Sequence, residues 1–81
     1  MKNNPIKTSH QLGALLRGYR RDRGLTQQDV GAMAGVAQKV ISQLETEPGP
    51  TSFARVLKVL AVLELDLVVR PRTKASPKSE W

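Results

Sequence analysis

The sequence predicts an all-α domain of four to five short helices, closed by one C-terminal β-strand that pairs across a homodimer. Three observations predict it. Apolar residues recur at helical spacing in four stretches between Ser9 and Leu63. Gly24 and Gly35 stand where the first two of those stretches stop. After Glu64 the apolar period shortens from about 3.6 residues to about two, the repeat of a strand.

Taking the chain in order, residues 1–8 are polar and contain a proline, and read as a flexible arm. Thr8 or Ser9 caps the first helix by accepting a backbone N–H. Leu12, Leu15, Leu16 and Tyr19 then fill the i, i+3, i+4, i+7 template of an amphipathic helix. Arg20, Arg21 and Arg23 crowd its last turn, where cations complement the helix dipole, and Gly24 ends it. This first helix spans Ser9 to Arg23.

Thr26-Gln27-Gln28-Asp29 has the form of a capping box for a second, short helix. Val30, Met33 and Ala34 give that helix its apolar face, and Gly35 stops it. Gly31 lies in its interior, where glycine costs about 1 kcal/mol against alanine, so a close helix approach is expected there. The third helix runs from Gln38 to Glu45. At helical pitch Gln38, Lys39, Ser42, Gln43 and Thr46 fall within one arc of roughly 140°. Ala37, Val40, Ile41 and Leu44 fill a separate arc. One face is core and the other is free.

The loop TEPGP precedes Thr51 or Ser52, either of which caps helix four. There Phe53, Val56, Leu57 and Leu60 match the apolar template, while Val59, Ala61, Val62 and Leu63 fill the other faces. A helix apolar nearly all round is buried on more than one side. Leu65, Leu67 and Val69 then alternate with Asp66, Val68 and Arg70 until Pro71. A lone strand cannot satisfy its backbone, and no second strand is apparent in this sequence, so the same strand of a second copy is the economical partner. The expected dimer interface comprises Val59, Val62, Leu63, Leu65, Leu67, Val68 and Val69. Residues 9–72 form the domain, and 73–81, polar up to Trp81, read as a disordered tail.

Composition narrows the function. A chain of 81 residues holds one small domain of the kind that often gains stability by oligomerising. It has no cysteine, so disulfides and cysteine-ligated metal are excluded and a reducing compartment fits. The N-terminus has no apolar run after its lysines, and no stretch of about 20 apolar residues could span a membrane. A cytoplasmic protein is expected, nucleoid-associated if it binds DNA, with no metal and no cofactor.

The net charge of +6 points to an anionic partner. Its distribution is uneven: residues 1–25 carry +5, residues 26–52 carry −2, residues 53–72 carry +2 and the last nine +1. Catalysis has no candidate site, because the single histidine, His10, has no orienting partner and no carboxylates stand at acid–base spacing.

Two short helices joined by a glycine-containing turn, behind a supporting helix, make the helix-turn-helix arrangement. In it the start of the second helix meets base edges in the major groove of DNA. Glutamine can pair bidentately with adenine, lysine can reach guanine, and serine can contact either. Gln38, Lys39, Ser42 and Gln43 therefore read bases in this interpretation. Gly24-Leu25-Thr26-Gln27 through Ile41-Ser42-Gln43-Leu44-Glu45 resembles the phage-repressor-like (Xre/Cro) helix-turn-helix family over residues 9–65. That resemblance implies a Gln27 that contacts phosphate and braces Gln38, and an Ala37 that meets a thymine methyl. It also implies a structural ion pair of Arg20 with Glu45, and a phosphate contact from Arg17. Thr26 and Thr51 complete the expected phosphate contacts. Past residue 65 the run LELDLVV and the tail ASPKSEW resemble HipB-type antitoxins more narrowly.

Those proteins repress their own operon and bind HipA-type kinase toxins, so the resemblance implies a repressor and antitoxin. Its expected partners are a palindromic double-stranded operator, a second copy and such a kinase; the tail with Trp81 is left between an anchor on the toxin, a mark for proteolysis and a terminus without function. Two alternatives stand beside it. One is a small regulator without a toxin; the other is a protein-interaction module that does not bind DNA, suggested by the net negative charge of residues 26–52.

Overall fold

The computed structural model describes residues 5–72 and folds them into four α-helices: α1 Ser9–Asp22, α2 Gln27–Ala34, α3 Gln38–Thr46 and α4 Phe53–Val62. The expected arm overlaps them only at residues 5–8, and the tail with Trp81 lies outside them. Three helices start on a hydroxyl cap. Thr8 and Gln11 form a capping box on α1, Thr26 and Asp29 form one on α2, and Ser52 rather than Thr51 caps α4. The hydrogen bonds from Thr26 hold the exposed Asp29 carboxyl below its usual pKa. α1 stops one residue early, with Arg23 as its C-cap, and Gly24 takes the turn at φ +69°.

The core is a single cluster of Leu16, Val30, Ala34, Ile41, Leu44, Val56, Val59, Leu60 and Leu63. α2 and α3 pack on one another, α1 lies against α3, and α4 closes the far side against α2. Two glycines permit these approaches. A Cβ on Gly31 would sit 2.8 Å from the carbonyl oxygen of Val36, and one on Gly13 would sit 2.5 Å from that of Glu45. The close contact expected at Gly31 is therefore met by the backbone of the turn itself. Gly13 does the same for α1 against the end of α3.

Helix α4 departs from its expected facing. Its buried stripe is Val56, Val59, Leu60 and Leu63, while Phe53 and Leu57 are 62% and 43% exposed. Val59 and Leu63 were expected on the dimer interface; at 2% and 1% exposure they belong to this chain's own core. The apolar template fits both stripes, and only the direction from which α2 approaches selects one. Val62 and Leu65 are half-buried against the core's edge, whereas Leu67, Val68 and Val69 face outward. Beyond α4 the chain turns at Glu64, whose φ is +59°, and Leu65 N–H donates to the Leu60 carbonyl at 2.8 Å. Among the described residues no strand is formed, and residues 66–70 make no backbone hydrogen bond within them.

Candidate nucleic-acid interface

The turn between α2 and α3 is three residues long. Gly35 adopts the left-handed conformation at φ +74°, and the Val36 N–H returns to the Gly31 carbonyl at 2.9 Å. Ala37 follows as the N-cap of α3. It has no side-chain oxygen, so α3 alone among the four helices begins without a side-chain cap. Its first N–H groups are left to whatever lies outside. Ala37, Gln38, Lys39 and Gln43 are exposed there and Ser42 is half-buried, on the side opposite the buried Ile41 and Leu44.

Behind this face lies a buried ion pair. The Arg20 Nε donates to Glu45 Oε2 at 2.6 Å and its Nη2 donates to Oε1 at 3.0 Å, a two-pronged geometry. The third guanidinium nitrogen, Nη1, donates to the Leu25 carbonyl at 2.8 Å. Hydrogen bonding to Glu45 raises the Arg20 pKa further, against the opposing effect of burial. Taking a charge out of water is costly unless it is paired, and losing either partner here costs about 3–5 kcal/mol. The arrangement accounts for an acid so close to a face proposed for a polyanion: Glu45 is spoken for.

The pair continues outward. Gln27 Nε2 donates to Glu45 Oε1 at 3.1 Å, and Gln38 Nε2 donates to Gln27 Oε1 at 2.7 Å. Four side chains from three helices thus form one chain of hydrogen bonds from the core to the exposed start of α3. The family resemblance implied the two ends of this chain separately, the ion pair and the brace on Gln38. The Glu45–Gln27 link that joins them was missed, because residues 18 apart in sequence carry no local signal of contact.

Two shallow grooves flank the ion pair. One, of about 420 Å³, is lined by Thr26, Gln27, Gln28 and Gln38 at the start of α2. Gln28 was not singled out from the sequence, although its place in the first turn of α2 is the available signal. The other, of about 590 Å³, runs along α1 past His10, Ala14, Arg17, Gly18 and Arg21 to Glu45 and Thr46. Arg17 and Arg21 are exposed and make no ion pair among the described residues. Thr51 is half-buried in the loop before α4. No group of residues that could hold a metal ion, and no helix long and apolar enough to cross a membrane, occurs among the described residues.

A family model described as helix-turn-helix matches residues 16–69. Antitoxin HipB of Escherichia coli strain K12 is 30% identical over 79 residues, which are 98% of this chain and 90% of that protein. The chain belongs to the Xre/Cro-like helix-turn-helix family, among the HipB-type antitoxins. A further HipB-type relative, from Escherichia coli O6:H1, is also 30% identical over 79 residues, 98% of this chain and 84% of that protein. An uncharacterized HTH-type transcriptional regulator of Sinorhizobium fredii, y4mF, is 36% identical over 58 residues, 72% of this chain and 76% of its own length. The fold agrees with solved HipB-type structures. A chain of a HipA-HipB-O2-O3 complex superposes with a TM-score of 0.82 at 29% identity, covering 89% of this chain and all of that one. A chain of a HipB-O4 20mer complex gives 0.81 at 28% identity, with 85% and 97% covered.

Proposed function

We propose that this chain is a homodimeric, sequence-specific DNA-binding repressor and the antitoxin of a toxin–antitoxin pair. In this reading it holds its own operon off and binds a HipA-type kinase toxin; no enzymatic activity is part of it. The observation that carries the DNA-binding part is the hydrogen-bonded chain from Arg20 through Glu45 and Gln27 to Gln38. It holds one glutamine rigidly at the exposed start of a helix whose neighbours Lys39 and Gln43 are also free. Rigid presentation of polar side chains from a helix start is what major-groove readout requires. Arg17 and the starts of α2 and α4, with Thr26, Gln27 and Thr51, supply the phosphate contacts.

Dimerisation is supported by the outward-facing Leu67, Val68 and Val69 on a segment with unpaired backbone, next to half-buried Val62 and Leu65. The kinase partner is supported by the likeness to a chain of the HipA-HipB-O2-O3 complex, all of whose length this chain matches. The tail with Trp81 is proposed as an anchor on that partner.

Selection of bound sequences from random DNA by the purified protein tests the first part. A palindrome with half-sites separated by whole helical turns is expected, with affinity falling steeply as salt rises. Recovery of no preferred sequence would overturn it. For the second part, a kinase-like reading frame beside the gene is expected, whose product co-purifies with this chain and loses that association when residues 73–81 are deleted. The likeness to the y4mF regulator, at 36% identity, supports the DNA-regulating part alone and so leaves a second reading, a small regulator without a toxin. Absence of such a neighbouring frame selects that reading.

A further inference from the structure

The turn that ends α4 is of a kind that usually takes a glycine, and here it holds a glutamate. The Glu64 N–H donates to the Ala61 carbonyl at 3.0 Å and the Leu65 N–H to the Leu60 carbonyl at 2.8 Å, the paired bonds that close a helix through one left-handed residue. That residue is Glu64, at φ +59°, the one non-glycine residue with positive φ among those described. A Cβ disfavours this conformation, so a side chain held there is a pointer to function. Just beyond it Leu65 packs against the core. The Glu64 carboxylate turns back to α1, where its Oε1 accepts from Arg23 Nη2 at 2.9 Å.

Arg23 is the C-cap of α1 and stands about one turn beyond Arg20, which grips Glu45 of α3. The end of α1 therefore holds the third helix through one arginine and the exit of α4 through another. Both side chains of the outer pair are exposed, at 41% and 73%. An exposed pair adds little to stability, at most about a fivefold change in an equilibrium. What it can do is fix a direction. Residues 66–70 leave the fold at Glu64 with no backbone hydrogen bond to the described residues. The angle at which they leave, relative to α1 and α3, sets how far apart two copies of α3 lie once two chains join through that segment.

We propose that Arg23 and Glu64 are positioning residues for the spacing of operator half-sites: their ion pair ties the exit of the dimer segment to the helix that seats α3. This rests on the dimeric, DNA-reading function proposed above and adds to it the contact that sets the distance between the two reading helices.

The test compares affinity for the palindrome that the wild-type chain selects from random DNA with affinity for the same palindrome carrying one extra central base pair. The ratio of the two cancels a lost phosphate contact, which weakens both duplexes alike. Asparagine tolerates the left-handed conformation, so Glu64→Asn keeps the turn and removes the pair, with helicity checked by circular dichroism. The wild-type ratio is expected to fall about two- to fivefold in Glu64→Asn, the most that an exposed pair can enforce. Arg23→Ala should give the same fall, and the double variant no further fall. Raising the salt from about 0.05 to 0.3 M screens the pair, so the wild-type ratio should approach that of the variants while theirs stays constant. No enriched palindrome from the wild type would overturn the DNA-reading function and this inference with it. A selected palindrome whose spacing ratio is equal in wild type and Glu64→Asn, or effects of the two substitutions that simply add, would overturn the inference alone.

Discussion

Gln38 and Arg17 are both exposed polar residues, and the proposed function gives them different work. Gln38 sits at the start of α3 with its amide tied to Gln27, and Arg17 lies on α1 in an open groove with Arg21. Removing a base reader costs discrimination, whereas removing a phosphate contact costs affinity for every sequence. Gln38→Ala is expected to lose about 1–3 kcal/mol on the selected operator and relax preference at one base pair. Arg17→Ala should weaken operator and random DNA equally and lower the salt slope by about one unit. Titrations against both DNAs at several salt concentrations separate the two. Equal losses on both DNAs for Gln38→Ala would remove it from base readout.

Among elements, the seat of α1 on α3 sets the whole site. Gly13 lets α1 approach so closely that an added Cβ would meet the Glu45 carbonyl oxygen at 2.5 Å. An alanine is favoured over glycine inside a helix by about 1 kcal/mol. Here the clash is with backbone, which cannot rotate away, and overpacking of that kind costs about 1–3 kcal/mol. Gly13→Ala is therefore expected to lower the urea midpoint despite its better helix propensity. It should also weaken operator binding, because the residue displaced is the one that holds Gln27. A raised midpoint would show that α1 can back away without consequence.

For the whole molecule, among the described residues an apolar surface is left uncovered just after α4. Val69 is 92% exposed and Val68 72%, so neither contributes to the core of one copy. Val69→Asp is thus expected to leave helical content intact while shifting sedimentation at micromolar concentration from dimer to monomer. Operator affinity should fall with it, since a reading region of net negative charge gains much of its hold from being doubled. A folded wild-type monomer in the same experiment would remove the dimer from the proposal.

From the sequence alone came four helical stretches, the hydroxyl cap of α2 at Thr26, the left-handed turn at Gly35 and the polar arc from Gln38 to Gln43. These are local matters of hydrogen-bond geometry, φ and helical period, so neighbouring residues suffice to state them. Which stripe of α4 is buried was not legible, because a helix apolar on several faces satisfies the period in more than one way. Val59 and Leu63 were accordingly placed on the wrong surface. Only the tertiary structure decided that, together with the close approach at Gly13 and the link from Glu45 to Gln27. Each depends on atoms from different helices meeting at 2.5–3.1 Å, a condition that no spacing along the chain encodes.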